Sequence, residues 1–162
     1  MEIENKIPKS CKVVVIGGGV AGCSTAYHLA KYGWKDTVLL ERDILTSGTT
    51  WHAAGLIGQL GSSATITKLR NYSLNLYKKL EKETGLSTGL KQNGSLTVAT
   101  TTDRLEELKR QLTFAQRFDI EAKQVSNEEI KEIYPLINTE DLVGGVFIKN
   151  DGQADPVGVA NV

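Results

Sequence analysis

The chain has 162 residues, and 19 basic side chains balance 19 acidic ones, so that the formal net charge is zero. This length suits one domain with an ordinary core. The charge balance argues against nucleic acid or an anionic membrane as the main partner, because both attract a surface with excess positive charge.

The two cysteines, Cys11 and Cys23, lack CxxC spacing, and the chain has only two histidines. We therefore expect no metal site and no disulfide, but two buried thiols in a reducing compartment. The N-terminus resembles neither a signal peptide nor a transit peptide, and no segment approaches the roughly 20 apolar residues of a membrane span. The expected location is the cytoplasm, or the mitochondrial matrix if the source is eukaryotic.

The first predicted elements form a βαβ unit. The run "CKVVVIGGG" is apolar and rich in β-branched residues, which is typical of a strand buried on both faces of a parallel sheet. The apolar residues of "VAGCSTAYHLAKYG" have helical spacing, which predicts a helix that ends just before Gly33. His28 lies within this helix and is expected to be a structural residue. The run "TVLLER" is the second buried strand of the unit.

A long helix comes next, predicted over 64–84 and closed by Gly85. Its apolar stripe is predicted to consist of Ile66, Leu69, Leu76 and Leu80. The run "GSLTVAT" then predicts a strand and "VGGVFI" a later one. A final helix is expected after Pro156.

Two further helices are predicted from their start signals. Asp103 with Glu106 resembles a capping box for the first of them. Ser126 with Glu129 resembles a capping box for the second, which ends before Pro135.

Residues 17–22, Gly-Gly-Gly-Val-Ala-Gly, fit the pattern G-x-G-x-x-G and lie between a predicted strand and a predicted helix. In that context the first, second and third glycines have separate tasks: the tight turn, the approach of backbone to a pyrophosphate, and the packing of helix on strand. Val20 and Ala21 open the helix, whose N-terminus offers free N–H groups to phosphates. The candidate cofactor-binding residues of this turn are Gly17, Gly19, Val20, Ala21 and Gly22.

Glu41 follows the second predicted strand, nineteen positions after Gly22, where about twenty are expected for an acidic residue that accepts from ribose hydroxyls. Its charge disfavours the extra phosphate of NADP. Arg42 either contacts the cofactor or stays solvated at the strand end. These residues predict an adenine dinucleotide and leave both FAD and NAD open.

The segment "TSGTTWHAAGL" places a tryptophan beside a histidine among small residues, which would allow close approach of backbone to a ligand. Trp51 either walls a cofactor pocket or fills core. A lone loop histidine such as His52 is more often bonded to a backbone carbonyl. The candidate cofactor-binding residues here are Gly48, Thr49, Thr50, Trp51, His52, Ala53, Ala54, Gly55 and Leu56.

The stretch "ERDILTSGTTWHAAGL" resembles the second flavin-contacting segment of the sarcosine and dimethylglycine dehydrogenase family, flavoproteins of the D-amino-acid-oxidase-like group. The segments "LEKETGLSTGLKQNGSLTVAT", "YPLINTEDLVGG" and "DGQADP" are similar to further family segments in the same order. The resemblance therefore runs from Lys12 onward. It implies FAD as the cofactor, bonded covalently from His52 to the 8α position of the flavin ring.

The resemblance also implies an activity, the oxidative demethylation of a small N-methyl amino acid, with sarcosine favoured over dimethylglycine. It implies an electron-transferring flavoprotein or another acceptor as partner, and tetrahydrofolate only in a full-length parent. The arginine that binds the substrate carboxylate is expected beyond Val162. The family carries a basic residue after "GQL", whereas this chain has Gly61.

The expected fold class is α/β: an FAD-type Rossmann βαβ unit followed by the beginning of an α+β substrate lobe. Residues 1–89 would be the N-terminal part of the FAD-binding domain, 90–147 part of the substrate lobe, and 148–162 the start of the return to the FAD-binding domain. On this expectation the chain is an N-terminal fragment that binds flavin poorly and turns over little.

Three other functions compete with this one. The first is an oxidase or dehydrogenase of another secondary or tertiary amine with noncovalent FAD. The second is a non-catalytic regulatory relative, as found beside pyruvate dehydrogenase phosphatase, and the third is a simple NAD-binding module. The histidine of "WHAAG" favours an enzyme over the second, and the whole segment disfavours the third.

Overall fold

A computed structural model describes residues 8–162, and these residues form seven strands and five helices. In chain order they are β1 (Val13–Ile16), α1 (Val20–Lys31), β2 (Thr37–Leu40), β3 (Leu56–Ile57), α2 (Ala64–Thr84), β4 (Ser95–Ala99), α3 (Thr102–Gln116), β5 (Ala122–Val125), α4 (Asn127–Ile133), β6 (Gly144–Ile148), β7 (Gly152–Gln153) and α5 (Pro156–Asn161). Parallel and antiparallel strands are both present, with helices between them, which is the predicted α/β class.

The predicted βαβ unit is confirmed, because β1 pairs in parallel with β2 and α1 lies between them in the chain. Gly33 has a φ of +86°, as expected for the residue after a helix end. Burial of β1 on both faces is wrong for the described chain: Val14 is 49% exposed and Ile16 is 86% exposed. The alternate residue Val15 faces α1, so α1 covers one face of this two-stranded sheet.

A second sheet is antiparallel, with β6 between β4 and β5. Side chains that alternate along β6 serve two core clusters, one under α3 and one under α4. Ala99, Leu108 and Val146 form the first cluster, whereas Val125, Ile130 and Leu142 form the second. Strand β5 was not predicted from the sequence.

The helix starts of this region correct one prediction and confirm another. The N-cap of α3 is Thr101, whose hydroxyl accepts from Arg104 N–H at 3.2 Å, so the capping box that begins at Asp103 is wrong. The reason is that the helix starts one residue before Asp103, and Glu106 instead pairs with Lys109 at 2.7 Å.

Helix α4 has the predicted capping box. Ser126 Oγ accepts from Glu129 N–H at 3.3 Å, and the Glu129 carboxylate accepts from Ser126 N–H at 2.9 Å. The helix ends at Ile133, ahead of Pro135, as expected.

Helix α2 has the predicted bounds and ends at Gly85, whose φ is +73°. Its buried side chains are Thr67, Leu74 and Leu80, whereas Leu69 of the predicted stripe is 58% exposed. The predicted stripe is thus confirmed at Leu80, whereas Ile66 is 38% exposed. The buried Thr67 hydroxyl donates to Ser63 O and accepts from Gly61 N–H.

The remaining strands, β3 and β7, form a short antiparallel pair with Leu56 opposite Gln153 and Ile57 opposite Gly152. This pair joins the second glycine-rich segment to the end of the chain, and the sequence did not predict it. Helix α5 starts at Pro156 as predicted, and Asp155 caps it by accepting from Val157 N–H at 3.1 Å. The helix packs against α1.

Both cysteines are free thiols of intermediate exposure rather than the buried thiols expected. Partial burial raises the pKa of the Cys23 thiol above its ordinary value. None of the helices in residues 8–162 is long and apolar enough to cross a bilayer. The predicted lack of a leader falls partly on residues 1–7, outside the described residues, and the domain boundaries stay a prediction.

Candidate cofactor-binding site

The glycine turn between β1 and α1 requires glycine at Gly17 for its backbone conformation and at Gly18 and Gly22 for lack of space. Gly17 has a φ of +103°, and its N–H donates to Leu40 O at 2.8 Å, which closes a tight turn. A Cβ at Gly22 would overlap the carbonyl oxygen of Gly17, so glycine is required where α1 leaves the turn. A Cβ at Gly18 would lie 2.5 Å from Leu45 Cδ2, a constraint that the motif did not predict.

Glu41 lies directly after β2 and its carboxylate touches the glycine turn. Oε2 accepts from Gly18 N–H at 2.7 Å, while Oε1 accepts from Arg42 N–H at 2.7 Å and from Asp43 N–H at 3.2 Å. The bond from Gly18, followed by that from Asp43, holds the pKa of Glu41 below its ordinary value. An ionised carboxylate has about four lone-pair sites, so it retains the capacity to accept from further hydroxyls.

The segment that carries His52, residues 46–60, is fixed to the glycine turn at its upstream end. Thr46 N–H donates to Gly18 O at 2.9 Å, and Thr46 is buried despite a φ of +71°. Thr50 Oγ1 accepts from Val20 N–H at 3.0 Å. Because the N-cap residue of α1 is a glycine, Thr50 supplies the helix cap from elsewhere in the chain. We call these contacts the upstream anchor.

The middle of segment 46–60 faces outward. Trp51 is 60% exposed, so the alternative in which it fills core is wrong for this structure. Its ring meets the His52 imidazole edge-on, with centroids 4.8 Å apart. His52, Ala53 and Ala54 are exposed too, and within residues 8–162 the His52 ring has no hydrogen-bond partner. The alternative for His52, a bond to a backbone carbonyl, is therefore absent from the described chain.

Segment 46–60 is held again where it enters β3. Gly55 has a φ of +69°, and its carbonyl accepts from Ala154 N–H at 2.9 Å. A Cβ at Gly55 would overlap Ala154 O, so only glycine allows this approach. Leu56 is 79% exposed and lies beside the exposed run 51–54.

Not every candidate residue is brought into these contacts. Gly48, Thr49 and the Arg42 side chain are exposed, and a Cβ at Gly48 would meet nothing within 4 Å. The other histidine, His28, is structural as expected, because its ring bonds to Ser24 O at 2.6 Å and to Tyr72 Oη at 2.7 Å.

Gly61 sits where a side chain would not fit. Its N–H donates to Thr67 Oγ1 at 3.1 Å. A Cβ at this position would lie 2.5 Å from Ile66 Cγ2 and 2.9 Å from Thr67 N. A basic residue here would therefore require a shift at the start of α2.

A cavity of about 850 Å³ opens between α1, α2 and α5, and Val20 and Ala21 at the start of α1 are the part of the glycine turn that it reaches. Its walls are mostly apolar, and neither Glu41 nor His52 lines it. The arrangement of charge and exposed donors thus points to the glycine turn, rather than to this cavity, as the place for a dinucleotide.

The chain matches one protein family over residues 12–161, that of the FAD dependent oxidoreductases known as DAO. It is 46% identical over 153 residues to the mitochondrial sarcosine dehydrogenase of Homo sapiens, and 43% identical over 145 residues to the mitochondrial dimethylglycine dehydrogenase of Rattus norvegicus. It is also 40% identical over 154 residues to the mitochondrial pyruvate dehydrogenase phosphatase regulatory subunit of Mus musculus.

These matches take in 94%, 90% and 95% of the chain, but only 17%, 17% and 18% of the relatives' own lengths. Among solved structures, L-proline dehydrogenase from P. horikoshii superimposes with a TM-score of 0.88 at 30% identity. That match covers 96% of the chain and 41% of the solved protein.

Proposed function

Because the chain belongs to the family of FAD-dependent oxidoreductases, we propose that it is part of an enzyme that oxidises the N-methyl group of a small amino acid. Sarcosine is the favoured substrate and dimethylglycine the second. The observation that carries the proposal is the family match over residues 12–161, since that range includes both the glycine turn with Glu41 and the segment around His52. The names of the first two relatives supply the substrate class.

The residues of the glycine turn fit FAD. Its side-chain-free backbone suits the close approach of a pyrophosphate. So do the first N–H groups of α1 that follow Val20, whose own N–H is already capped by Thr50. Glu41 is ionised beside the turn and suits the ribose hydroxyls. When bound, FAD supplies the hydride acceptor of such an oxidation. The chain's share is to bind and orient the cofactor.

His52 is the proposed attachment point of the flavin, through a bond from an imidazole nitrogen to the 8α carbon. The 8α carbon would lose a C–H bond and the imidazole its N–H proton, and the flavin ring itself would take up the two electrons, to be reoxidised by oxygen or the electron acceptor. Two features support this assignment. The ring is exposed and has no competing hydrogen bond within the described residues, and it stands on a short run between two fixed points. The edge contact with Trp51 limits the directions in which the ring can point.

Further parts of the proposal concern regions and partners outside the described site. Residues 90–147 would belong to a substrate lobe, and 148–162 would return to the FAD-binding domain. Electrons would pass to an electron-transferring flavoprotein or another acceptor. Tetrahydrofolate would bind only in a longer parent, and the location would be the cytoplasm, or the mitochondrial matrix in a eukaryote.

The test is to follow flavin through acid denaturation, with the chain loaded with FAD and with any longer polypeptide that contains it. Flavin fluorescence is expected to travel with the wild type on a denaturing gel and to disappear in His52→Ala. The matched control is His28→Gln, which changes the other histidine and is expected to keep the fluorescence. A wild type that binds flavin but releases all of it in acid would overturn the covalent link.

The activity is tested separately on the longer polypeptide that contains the chain, because the arginine for the substrate carboxylate is expected beyond Val162. The flavin-loaded protein is mixed with sarcosine or dimethylglycine without oxygen. Loss of the visible flavin absorbance, faster with sarcosine, is the expected result. Reduction by a different amine alone would support the first competing function. If no amine reduces the bound flavin, the regulatory function is favoured, and the 40% identity to the phosphatase regulatory subunit is the observation behind it.

A further inference from the structure

Asp151 is a buried carboxylate in the turn between β6 and β7, with 4% of its surface exposed. Oδ1 accepts from Gln59 N–H at 2.7 Å, and Oδ2 accepts from Ser95 Oγ at 2.6 Å. Its own carbonyl accepts from Gly94 N–H at 2.9 Å. No ion pair of Asp151 is present among residues 8–162. Neutral donors therefore hold this charge in place.

Burying an unpaired carboxylate costs free energy, which these charge-assisted hydrogen bonds offset. A turn aspartate usually bonds to backbone within its own turn. The Asp151 carboxylate instead reaches residues that are 92 and 56 positions away in the chain. It therefore ties segment 46–60 to strand β4.

Among the partners of Asp151, Gln59 is the one that lies in the segment carrying His52. It lies two positions after β3, and its side chain donates to Asn71 Oδ1 on α2 at 2.7 Å. A Cβ at Gly58 would lie 3.7 Å from Asp151 Oδ2, so the backbone passes close to the carboxylate. Only Gly55 separates the exposed run 51–54 from β3, and Gln59 follows β3 closely. The position of Gln59 therefore governs the position of β3 and, through it, the place where the exposed run ends. We call the contacts of Gly55, β3 and Gln59 the downstream anchor.

We propose that Asp151 is a positioning residue for His52. Its carboxylate fixes the downstream anchor, so that the exposed run 51–54 spans two points that do not move relative to each other. The inference rests on the proposed function, in which His52 bears the flavin. It assigns to Asp151 no contact with the cofactor.

The chemistry of the two bonds distinguishes substitutions of Asp151. In Asp151→Asn the amide oxygen still accepts from Gln59 N–H, while the amide nitrogen donates to a Ser95 hydroxyl that rotates to accept. In Asp151→Ala both bonds are lost and the Gln59 N–H loses its partner. Ser95→Ala removes the second bond and leaves the first. Asp141→Ala changes an exposed aspartate and serves as the control.

The experiment measures the rate at which FAD becomes acid-stable, together with the affinity for noncovalent FAD, in the flavin-loaded chain or the longer polypeptide that contains it. Asp151→Ala is expected to slow attachment on the order of ten- to a hundredfold, the penalty of a small misplacement, while FAD affinity at the glycine turn changes little. Asp151→Asn and the control Asp141→Ala are expected to attach FAD at about the wild-type rate. The attachment rate of Ser95→Ala is expected to lie between those of the wild type and Asp151→Ala.

Attachment at the wild-type rate in Asp151→Ala overturns the inference, and so does an equal loss of affinity and rate, which would indicate a purely structural role. A wild type without any acid-stable flavin overturns the covalent link at His52 first and this inference with it, whereas the proposed oxidation of an N-methyl amino acid stands or falls by the separate test of flavin reduction. If Asp151→Ala does not fold, hydrogen exchange of the wild type decides. The Gln59 amide must then exchange more slowly than the amides of residues 51–54, and equal rates overturn the inference.

Discussion

The βαβ unit and the antiparallel sheet differ in how much they bury. Under the antiparallel sheet, Leu108, Val125 and Ile130 are at most 1% exposed. In the βαβ unit, α1 has no buried residue, and Ile16 of β1 is 86% exposed. The residues assigned to the cofactor thus belong to the less buried region, while the core lies in the other. Regions with few buried apolar contacts open locally at a lower free energy, so a bound cofactor would stabilise the βαβ unit most.

The largest effect expected from this difference is on global stability. Ile130→Ala empties a fully buried site, and we expect it to lower the free energy of unfolding by about 2–5 kcal/mol. Ile16→Ala, the same change at an exposed site, is expected to cost about 0.5 kcal/mol or less. Urea unfolding of both variants measures the difference. Equal losses would mean that β1 is as much a part of the core as α4.

A smaller effect is expected at the glycine turn. In Gly22→Ala the new methyl group overlaps Gly17 O, and overpacking of this kind costs about 1–3 kcal/mol. The damage should appear as weaker FAD binding, because the displaced turn is the proposed phosphate site. Ala30→Gly, at an exposed position of the same helix, costs only about 1 kcal/mol through helix propensity. Titration of both variants with FAD separates a local clash from simple weakening of α1.

The start of α3 offers a third test, in the more buried region. Thr101→Ala removes the observed N-cap and is expected to cost about 1 kcal/mol. Asp103→Ala removes the residue that the sequence pattern favoured and is expected to cost less, since only a favourable charge near the helix N-terminus is lost. Thermal unfolding of the two variants ranks them. The reverse order would mean that the capping box at Asp103 forms in solution.

The smallest effect concerns acid and salt. The pKa of Glu41 is lowered mainly by Gly18 N–H, and that of Glu129 mainly by its hydrogen bond to Lys123. Each carboxylate therefore contributes stability that is present above the ordinary pKa of about 4.3 and is lost as pH falls through the lower folded-state pKa. Salt screens the exposed Lys123 pair but affects the backbone bond to Glu41 less.

Unfolding curves measured from neutral pH down to about pH 3 test this prediction. Glu41→Gln should flatten the acid dependence at both low and high salt, whereas Lys123→Met should flatten it only at low salt. If high salt abolishes the contribution of Glu41 too, an ion pair rather than the backbone bond lowers its pKa.

The elements that sequence reasoning found are those with local signals. The βαβ unit, α2 and the start of α4 each carry a nearby cap, glycine or periodic pattern. Strands β3 and β7 have two residues each, and β5 reads Ala-Lys-Gln-Val, so neither length nor alternation indicated them. Their pairing partners are distant in the chain, and partners rather than propensity decide such strands.

The candidate site also combines residues that have local sequence signals with residues that have none. The spacing of the glycines and of Glu41 was enough to predict that Glu41 lies beside the glycine turn. Thr46 was missed because a β-branched residue seldom adopts a positive φ, and the surrounding contacts impose it here. Asp151 was missed because an aspartate in a turn-rich stretch is ordinarily exposed, and nothing nearby in the sequence indicates its distant partners.

The two anchors of segment 46–60 also close loops of different length. In the upstream anchor, Thr50 and Val20 are 30 positions apart in the chain, whereas in the downstream anchor Gln59 and Asp151 are 92 positions apart. Short loops close sooner and at a lower entropic cost than long ones. The upstream anchor can therefore form while the chain is still being synthesised, but the downstream anchor must wait until Asp151 has left the ribosome. Attachment of a cofactor at His52 would then have to follow the synthesis of Asp151, and it would mark chains in which this long-range contact has formed.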